Sequence, residues 1–476
     1  MDTTSGTSTG SRTPTSTRTG TETAPDTAGL HGVRHLPGEA TYERARTGYQ
    51  RAHAHRPEFV LAAADADDVR AAIEHAAAHG TSVTTQIGGH GLAAALEGGV
   101  LVDLSALRTV EIDPAARTAR VGGGATWQDV LDAAAPHGLA PLSGSSPHVG
   151  AVPYTLGGGF GLLGRRHGYA ADHVRAFDLA TGDGRTRRAE PAASDELDRE
   201  LFWALRGGGA GGGIVTAMEI DLVEAGEVYG GCLYADLDAV PDALDRWRRW
   251  TSTVPDDVTS GVAMLVFPDV AGVPEELRGR HVVQVQVCVA DPDGEHHVAA
   301  LRETLPAVRD TMARWALRDS GAMFEEPERP HAYRSRAVTV RELDPRALAR
   351  LTKAAGPAAP AMCVVGLRHL GGAFARRPRH PSTVAHRDAG YLLSVLSPVR
   401  PTSEATEAEV RALHAELLAP FEEEVLGTCL PFSFGPATAE EVRGAFTSAD
   451  AARLTRVRAA VDPDAVVLPN HPLSPE

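Results

Sequence analysis

At 476 residues the chain exceeds what one hydrophobic core usually fills, so its length predicts two domains. With 43% hydrophobic and 23% charged residues, its composition is that of a water-soluble globular protein. A net charge of −16 argues against nucleic acid or an anionic membrane as partner, and no run approaches the ~18 apolar residues of a membrane span.

Residues 1–30 are rich in Thr, Ser, Gly and Pro and contain no apolar h-region. They read as a disordered tail and not as a secretory signal. Phe59–Ala63 is an apolar strand, after which Asp65 caps a helix that presents Val69, Ile73, Ala76 and Ala77 on one face and ends at Gly80. The strand Ser82–Ile87 runs into Gly88-Gly89-His90, and another follows at 100–105. TVEID and TARVG form a hairpin about Pro114–Arg117, and Thr126 can cap the helix WQDVLDAA. This mixed alternation continues to about Glu224. Beyond it lie amphipathic stretches, Val240–Trp250 and Glu295–Leu317, among the strands CLYADL, GVAMLVF, VVQVQVCV, MCVVGLRHL and YLLSVLS. That pattern predicts an α+β protein whose second part is an antiparallel sheet covered by helices on one face. Cys232, Cys288, Cys363 and Cys429 form no CxxC pair, which fits neither zinc nor a disulfide framework and suits a reducing cytoplasm.

Three glycine clusters stand out: GGHG at 88–91, TLGGGFG at 155–161 and GGGAGGG at 207–213. Each alone would read as a tight turn. Together they suggest backbone N–H groups free to approach phosphates, with a dinucleotide as occupant. A formal GxGxxG occurs at Gly159, Gly161 and Gly164, but no buried strand precedes it and no apolar helix follows, so a Rossmann reading fails. His90 alone would be a structural imidazole; at the end of a strand, inside such a turn, it can also be a nucleophile. No partner sits at metal-ligand spacing, so no metal is expected.

The motifs IGGHG, LVDLSALRTVEID, VGGGATWQDV, TLGGGFGLLGRRHGYAADHV, ELFWALRGGGAGGGIVT, LRHLGGAFAR and VDPDAVVLPNHPL follow one another in an order and spacing that resemble a known family. It is the FAD-linked oxidases with a PCMH-type (vanillyl-alcohol-oxidase-like) FAD domain and a berberine-bridge-type C-terminal segment. The resemblance implies a two-part FAD-binding domain over 31–224, a substrate domain over 225–440, and a segment at 441–476 returning to the FAD domain. It implies that His90 carries the flavin through an 8α link. Gln86, Gly88, Gly89 and Gly91, with Thr155, Leu156, Gly157, Gly158 and Gly159, would wrap the pyrophosphate. Gly150 and Gly161 would line the same groove, Val215 would touch the adenine side, and Asn470 would return to the ring.

The chain departs from the family pattern at several places. Ser146 stands where many relatives carry a second linking cysteine, and a hydroxyl is far less nucleophilic than a thiolate, so a single covalent bond is expected. Pro153 replaces a glycine and Gly211-Gly212 replace Asn-Phe. The frequent Tyr-x-Asn-Phe reads Pro431-Phe-Ser433-Phe434, which removes a common acid/base tyrosine. The family's activity would be oxidation of a small organic molecule, with dioxygen as acceptor. His369, Tyr391 and, more weakly, Tyr154 are the candidate bases, the first two on strands expected to face the flavin. Two other functions stay open: a redox-neutral cyclase with structural FAD, and a flavin-free binding protein.

Overall fold

The computed structural model describes residues 1, 31–93, 95–327 and 329–473. The expected disordered tail therefore lies, Met1 apart, outside the described residues. Two sheets build the first half of the chain. Val33–His35, Phe59–Ala62, Val100–Asp103 and Val83–Thr85 form a four-stranded sheet in that order, the last three strands parallel. Two of the parallel strands, Phe59–Ala62 and Val100–Asp103, are apolar runs, and a helix, Ala66–His79, lies on one face of the sheet. That helix begins where Asp65 accepts from the N–H groups of Asp67 and Asp68, and stops where Gly80 turns left-handed at φ 62°. The second sheet is antiparallel, ordered Val110–Asp113, Thr118–Gly122, Gly213–Asp221, Val174–Thr181 and Thr186–Ala189.

The second half is a nine-stranded antiparallel sheet. Its centre runs through Glu227–Asp236, His281–Val289, Val258–Val266, Val364–His369, Tyr391–Pro398 and Tyr333–Val340. Period-2 alternation divides this sheet cleanly. Val283, Val285, Val287, Val365, Leu367, Leu393 and Val395 pack under the helices Ala243–Thr251, His296–Thr304, Pro345–Ala354 and Glu407–Leu418. The opposite face turns toward the first half: Cys232, Tyr234 and Cys288 join one core with Trp127, Leu156 and Phe177, while Leu392 joins Tyr169. The α+β class and the helix-covered sheet are as the sequence predicts.

Two elements differ from expectation. The amphipathic stretch 295–317 is helical only over His296–Thr304, because Pro306 cannot continue a helix; short strands at Arg309–Asp310 and Ala313–Ala316 follow and pair with Glu227–Asp236. The strand Tyr333–Val340 was not foreseen, since its polar alternation Arg334, Ser335, Arg336 hides a position inside the sheet. All four cysteines are buried thiols. No helix among the described residues is long and apolar enough to cross a membrane.

Residues 448–470 lie against the first half. Helix Ser448–Val461 buries Leu454, Val457 and Val461 in the core shared with Phe202 and Leu205, and Arg453 holds Glu200 with two hydrogen bonds of 2.7 and 2.6 Å. Val467 then forms a parallel bridge to Val83 at the edge of the four-stranded sheet.

Candidate active site

The strand Val83–Thr85 ends at a loop whose conformation only glycine takes easily. Gly88 and Gly89 have φ of 67° and 64°, and a Cβ on Gly89 would stand 2.6 Å from Gly48 Cα. The loop carbonyls are used up: Gly88 O accepts from Tyr49 N at 2.8 Å and Gly89 O from Gln50 N at 2.9 Å. The N–H groups of Gly88, His90 and Gly91 have no acceptor among the described residues. One side of the loop borders a cavity of about 470 Å³ whose walls include Gly48, Gln86, Gly88 and Asp103. It opens at the carboxyl ends of the parallel strands, where open sheets with such strands accommodate ligands.

His90 is fixed from three sides. Its ring stacks on Tyr49 with centroids 4.1 Å apart and planes 12° apart, and its carbonyl accepts from the Tyr333 hydroxyl. Asn470 pins the following residues, donating from Nδ2 to Gly91 O at 2.8 Å and accepting from Ala93 N at 2.8 Å. Burial, aided by the nearby His148, lowers the His90 pKa to about 4. The imidazole is thus neutral at ordinary pH, which leaves a ring nitrogen lone pair.

The second glycine segment meets the first directly. A Cβ on Gly150 would lie 2.7 Å from Ile87 Cγ2, so only glycine lets the short helix Ala151–Leu156 begin there. Pro153 occupies the first turn of that helix, where its missing N–H costs nothing. Thr155 is fully buried and donates to Ala151 O at 2.8 Å; Leu156 closes the turn before Gly157. Gly158 and Gly159 have φ of 101° and 80°, and the N–H groups of Gly159, Phe160 and Gly161 lack acceptors among the described residues. Val215 is buried in the strand Gly213–Asp221, and its carbonyl faces Gly123. Acceptor-free N–H groups on two Cβ-poor loops, with a neutral imidazole beside one of them, fit a dinucleotide such as FAD.

The three candidate bases are placed differently. His369 and Tyr391 pair across neighbouring strands and share the helix-covered face with Leu367 and Leu393, turned away from the glycine loops. His369 Nε2 lies 2.9 Å from Arg165 Nη1, so its lone pair accepts from a guanidinium. Burial and that positive charge lower the His369 pKa to about 3, a poor value for a base. The Tyr391 hydroxyl bonds Thr251 Oγ1 at 2.8 Å. Tyr154 sits instead on the helix Ala151–Leu156, its ring edge-on to Trp127 at 5.4 Å. Its buried hydroxyl has no hydrogen-bond partner among the described residues, and burial raises its pKa.

Around Tyr154 the structure gathers groups that sequence reasoning missed. Arg368 projects from the open face of the nine-stranded sheet with its guanidinium 4.3 Å above the Phe432 ring. Phe432 packs on Phe160 at 5.4 Å, a Cβ on Gly157 would contact Pro431, and Phe434 lies beside Gly91. The segment in place of Tyr-x-Asn-Phe therefore closes over both glycine loops. Strand alternation in VVGLRHL was the available signal for Arg368, since Leu367 and Arg368 must face opposite ways.

Burial lowers the pKa of six histidines strongly, to about 4 for His55, His90, His167 and His471 and about 3 for His369 and His414. Each folds neutral but would take up a proton near 6.5 when unfolded. Their contribution to stability is complete above about pH 6.5 and is lost as pH falls toward 4. The thermal midpoint is expected to drop steadily across that interval; a flat calorimetric profile would refute it.

Residues 57–190 match the family model for an FAD binding domain. The chain is similar to FAD-linked oxidases. It is 30% identical over 284 residues to (R)-6-hydroxynicotine oxidase of Paenarthrobacter nicotinovorans, covering 58% of this chain and 59% of that enzyme. The match thus spans about three fifths of that relative's length. Berberine bridge enzyme-like proteins are also among its relatives. The fold superposes on the crystal structure of 6-hydroxy-D-nicotine oxidase from Arthrobacter nicotinovorans with a TM-score of 0.80 at 24% identity, covering 94% of this chain and 98% of that one. Glucooligosaccharide oxidase from Acremonium strictum, whose FAD is 6-S-cysteinyl and 8α-N1-histidyl, superposes with a TM-score of 0.77 at 16% identity, covering 93% and 96%.

Proposed function

We propose that this FAD-linked oxidase relative is an FAD-dependent oxidoreductase of a small organic substrate, with the cofactor held by one covalent bond to His90. The observation that carries the reading is His90: neutral, stacked on Tyr49, and set in a loop of acceptor-free N–H groups. FAD supplies a two-electron acceptor for a hydride from the substrate, and dioxygen takes the electrons onward.

The protein's own part is to bind and orient. The loops 86–91 and 155–161 hold the pyrophosphate through backbone N–H groups, Asn470 fixes the backbone after His90, and Ser146 offers no second thiolate. Tyr154, a buried phenol that stays protonated, donates to the substrate from the FAD-domain side. His369 and Tyr391 are positioning residues that brace Arg165 and Thr251. Four buried thiols suit the cytoplasm as the working compartment.

Purified protein precipitated with acid tests this reading. The pellet is expected to stay yellow, and turnover with a substrate to release peroxide in equal amount. A colourless pellet refutes the covalent link, and turnover without peroxide refutes oxidase chemistry in favour of a redox-neutral cyclisation.

A further inference from the structure

Among the described residues the Arg368 guanidinium has neither an ion pair nor a hydrogen bond. It stands on the sheet face that meets the FAD-binding half, flanked by two positions that lack side chains. Gly366 precedes it by two residues on the same face, and Gly261 opposes it on the neighbouring strand. A Cβ on Gly261 would lie 3.5 Å from Arg368 Cγ and 2.8 Å from Leu367 O, and one on Gly366 would press on the Ser394 hydroxyl at 2.6 Å. The two glycines bring the neighbouring backbone and the Ser394 hydroxyl close and put no side chain of their own beside the charge.

The surroundings of the guanidinium are aromatic and polar. Phe432 lies under the guanidinium at 4.3 Å. The Tyr154 hydroxyl is buried without a hydrogen-bond partner among the described residues. Glu326 and Tyr154 act on Arg368 electrostatically, and burial lowers its pKa, yet among the described residues it has no ion pair and no hydrogen bond. Glu326 already accepts from Ser145 Oγ at 2.7 Å. Leaving a half-buried guanidinium and a buried phenol unpaired is costly, and a ligand that accepts from both removes the cost.

We propose that Arg368 selects a substrate carrying a carboxylate, which takes the guanidinium's paired N–H groups while Phe432 and Tyr154 flank its apolar body. A planar fork of N–H donors matches a carboxylate in shape as well as charge. This assignment rests on the FAD-dependent reading above, because it names the substrate class of that same site.

Calorimetric titration of the full chain as purified tests it, with sodium benzoate as the carboxylate probe and benzamide as its neutral isostere. Benzoate is expected to bind at least about tenfold more tightly than benzamide. Arg368→Met should abolish that advantage and Arg368→Lys should keep part of it. Equal affinities, no binding of either probe, or benzoate affinity unchanged in R368M would each overturn the assignment; the probe comparison on the unaltered chain decides even if the variants fail to fold. Acid-stable colour, measured on the same samples, separates the two readings. A benzoate preference without colour sinks the covalent-flavin reading alone, and colour without a preference sinks the Arg368 assignment alone.

Discussion

Replacing His90 with alanine is expected to convert an acid-stable yellow protein into one that yields its flavin to the acid supernatant. Three features make the effect large and specific. The ring nitrogen lone pair exists because burial holds the imidazole neutral, and alanine has none. On the proposed reading no second thiolate stands ready, since Ser146 carries a hydroxyl and all four cysteines are buried. The loop itself should survive, because Gly88 and Gly89 keep their left-handed backbone and Asn470 still bonds Gly91 O and Ala93 N. Loss of the Tyr49 stack costs only about 1 kcal/mol. A small shift in the thermal midpoint with complete loss of acid-stable colour is therefore the expected pair of results. Colour retained in the pellet would place the link elsewhere; a collapsed midpoint would make His90 a structural residue.

The glycine loops were legible because runs of glycine weaken a chain and need a reason. The structure supplies several, in left-handed φ at Gly88, Gly89, Gly158 and Gly159 and in the close approach of Gly150 to Ile87. Strand alternation is legible as well, but not which face it turns toward the first half. The rule that puts His369 with Leu367 also puts both under the helices, and nothing local says which face the cofactor half covers. The face was set by packing across the whole chain, with Cys232 and Tyr234 on one side and Trp247 on the other. Tyr49 and Tyr333, which hold His90, lie on either side of it in sequence, Tyr333 being 243 residues away, beyond the reach of any local pattern. The same holds for Arg368 and Tyr154, whose meeting depends on docking two domains. Helix 296–304 shows the converse: Pro306 was a local stop signal, and an apparent amphipathic period was carried past it.

Arg165 provides the second large effect, and it concerns stability more than chemistry. Its side chain is buried at 5% exposure between the two halves of the molecule. Nε donates to Val258 O at 2.9 Å, Nη1 donates to Leu370 O and to His369 Nε2, and Nη2 reaches Asp256 at 3.4 Å. Four acceptors on two segments of the second half, 256–258 and 369–370, are thus held by one side chain from the FAD-binding half. Arg165→Met keeps much of the volume and removes every donor. Buried acceptors left without partners cost about 1–3 kcal/mol each, which sets an expected destabilisation of about 3–5 kcal/mol for the group. Urea unfolding should show the midpoint falling by the corresponding amount. The His369 pKa should rise from about 3 once the guanidinium charge is gone, a shift that proton NMR of the imidazole would register. His369→Gln, which retains an acceptor for Arg165 but cannot act as a base, separates the two roles assigned to this histidine. Near-normal turnover in H369Q fits a positioning residue. A loss of kcat by about a hundredfold or more, with folding intact, would make His369 the proton acceptor after all.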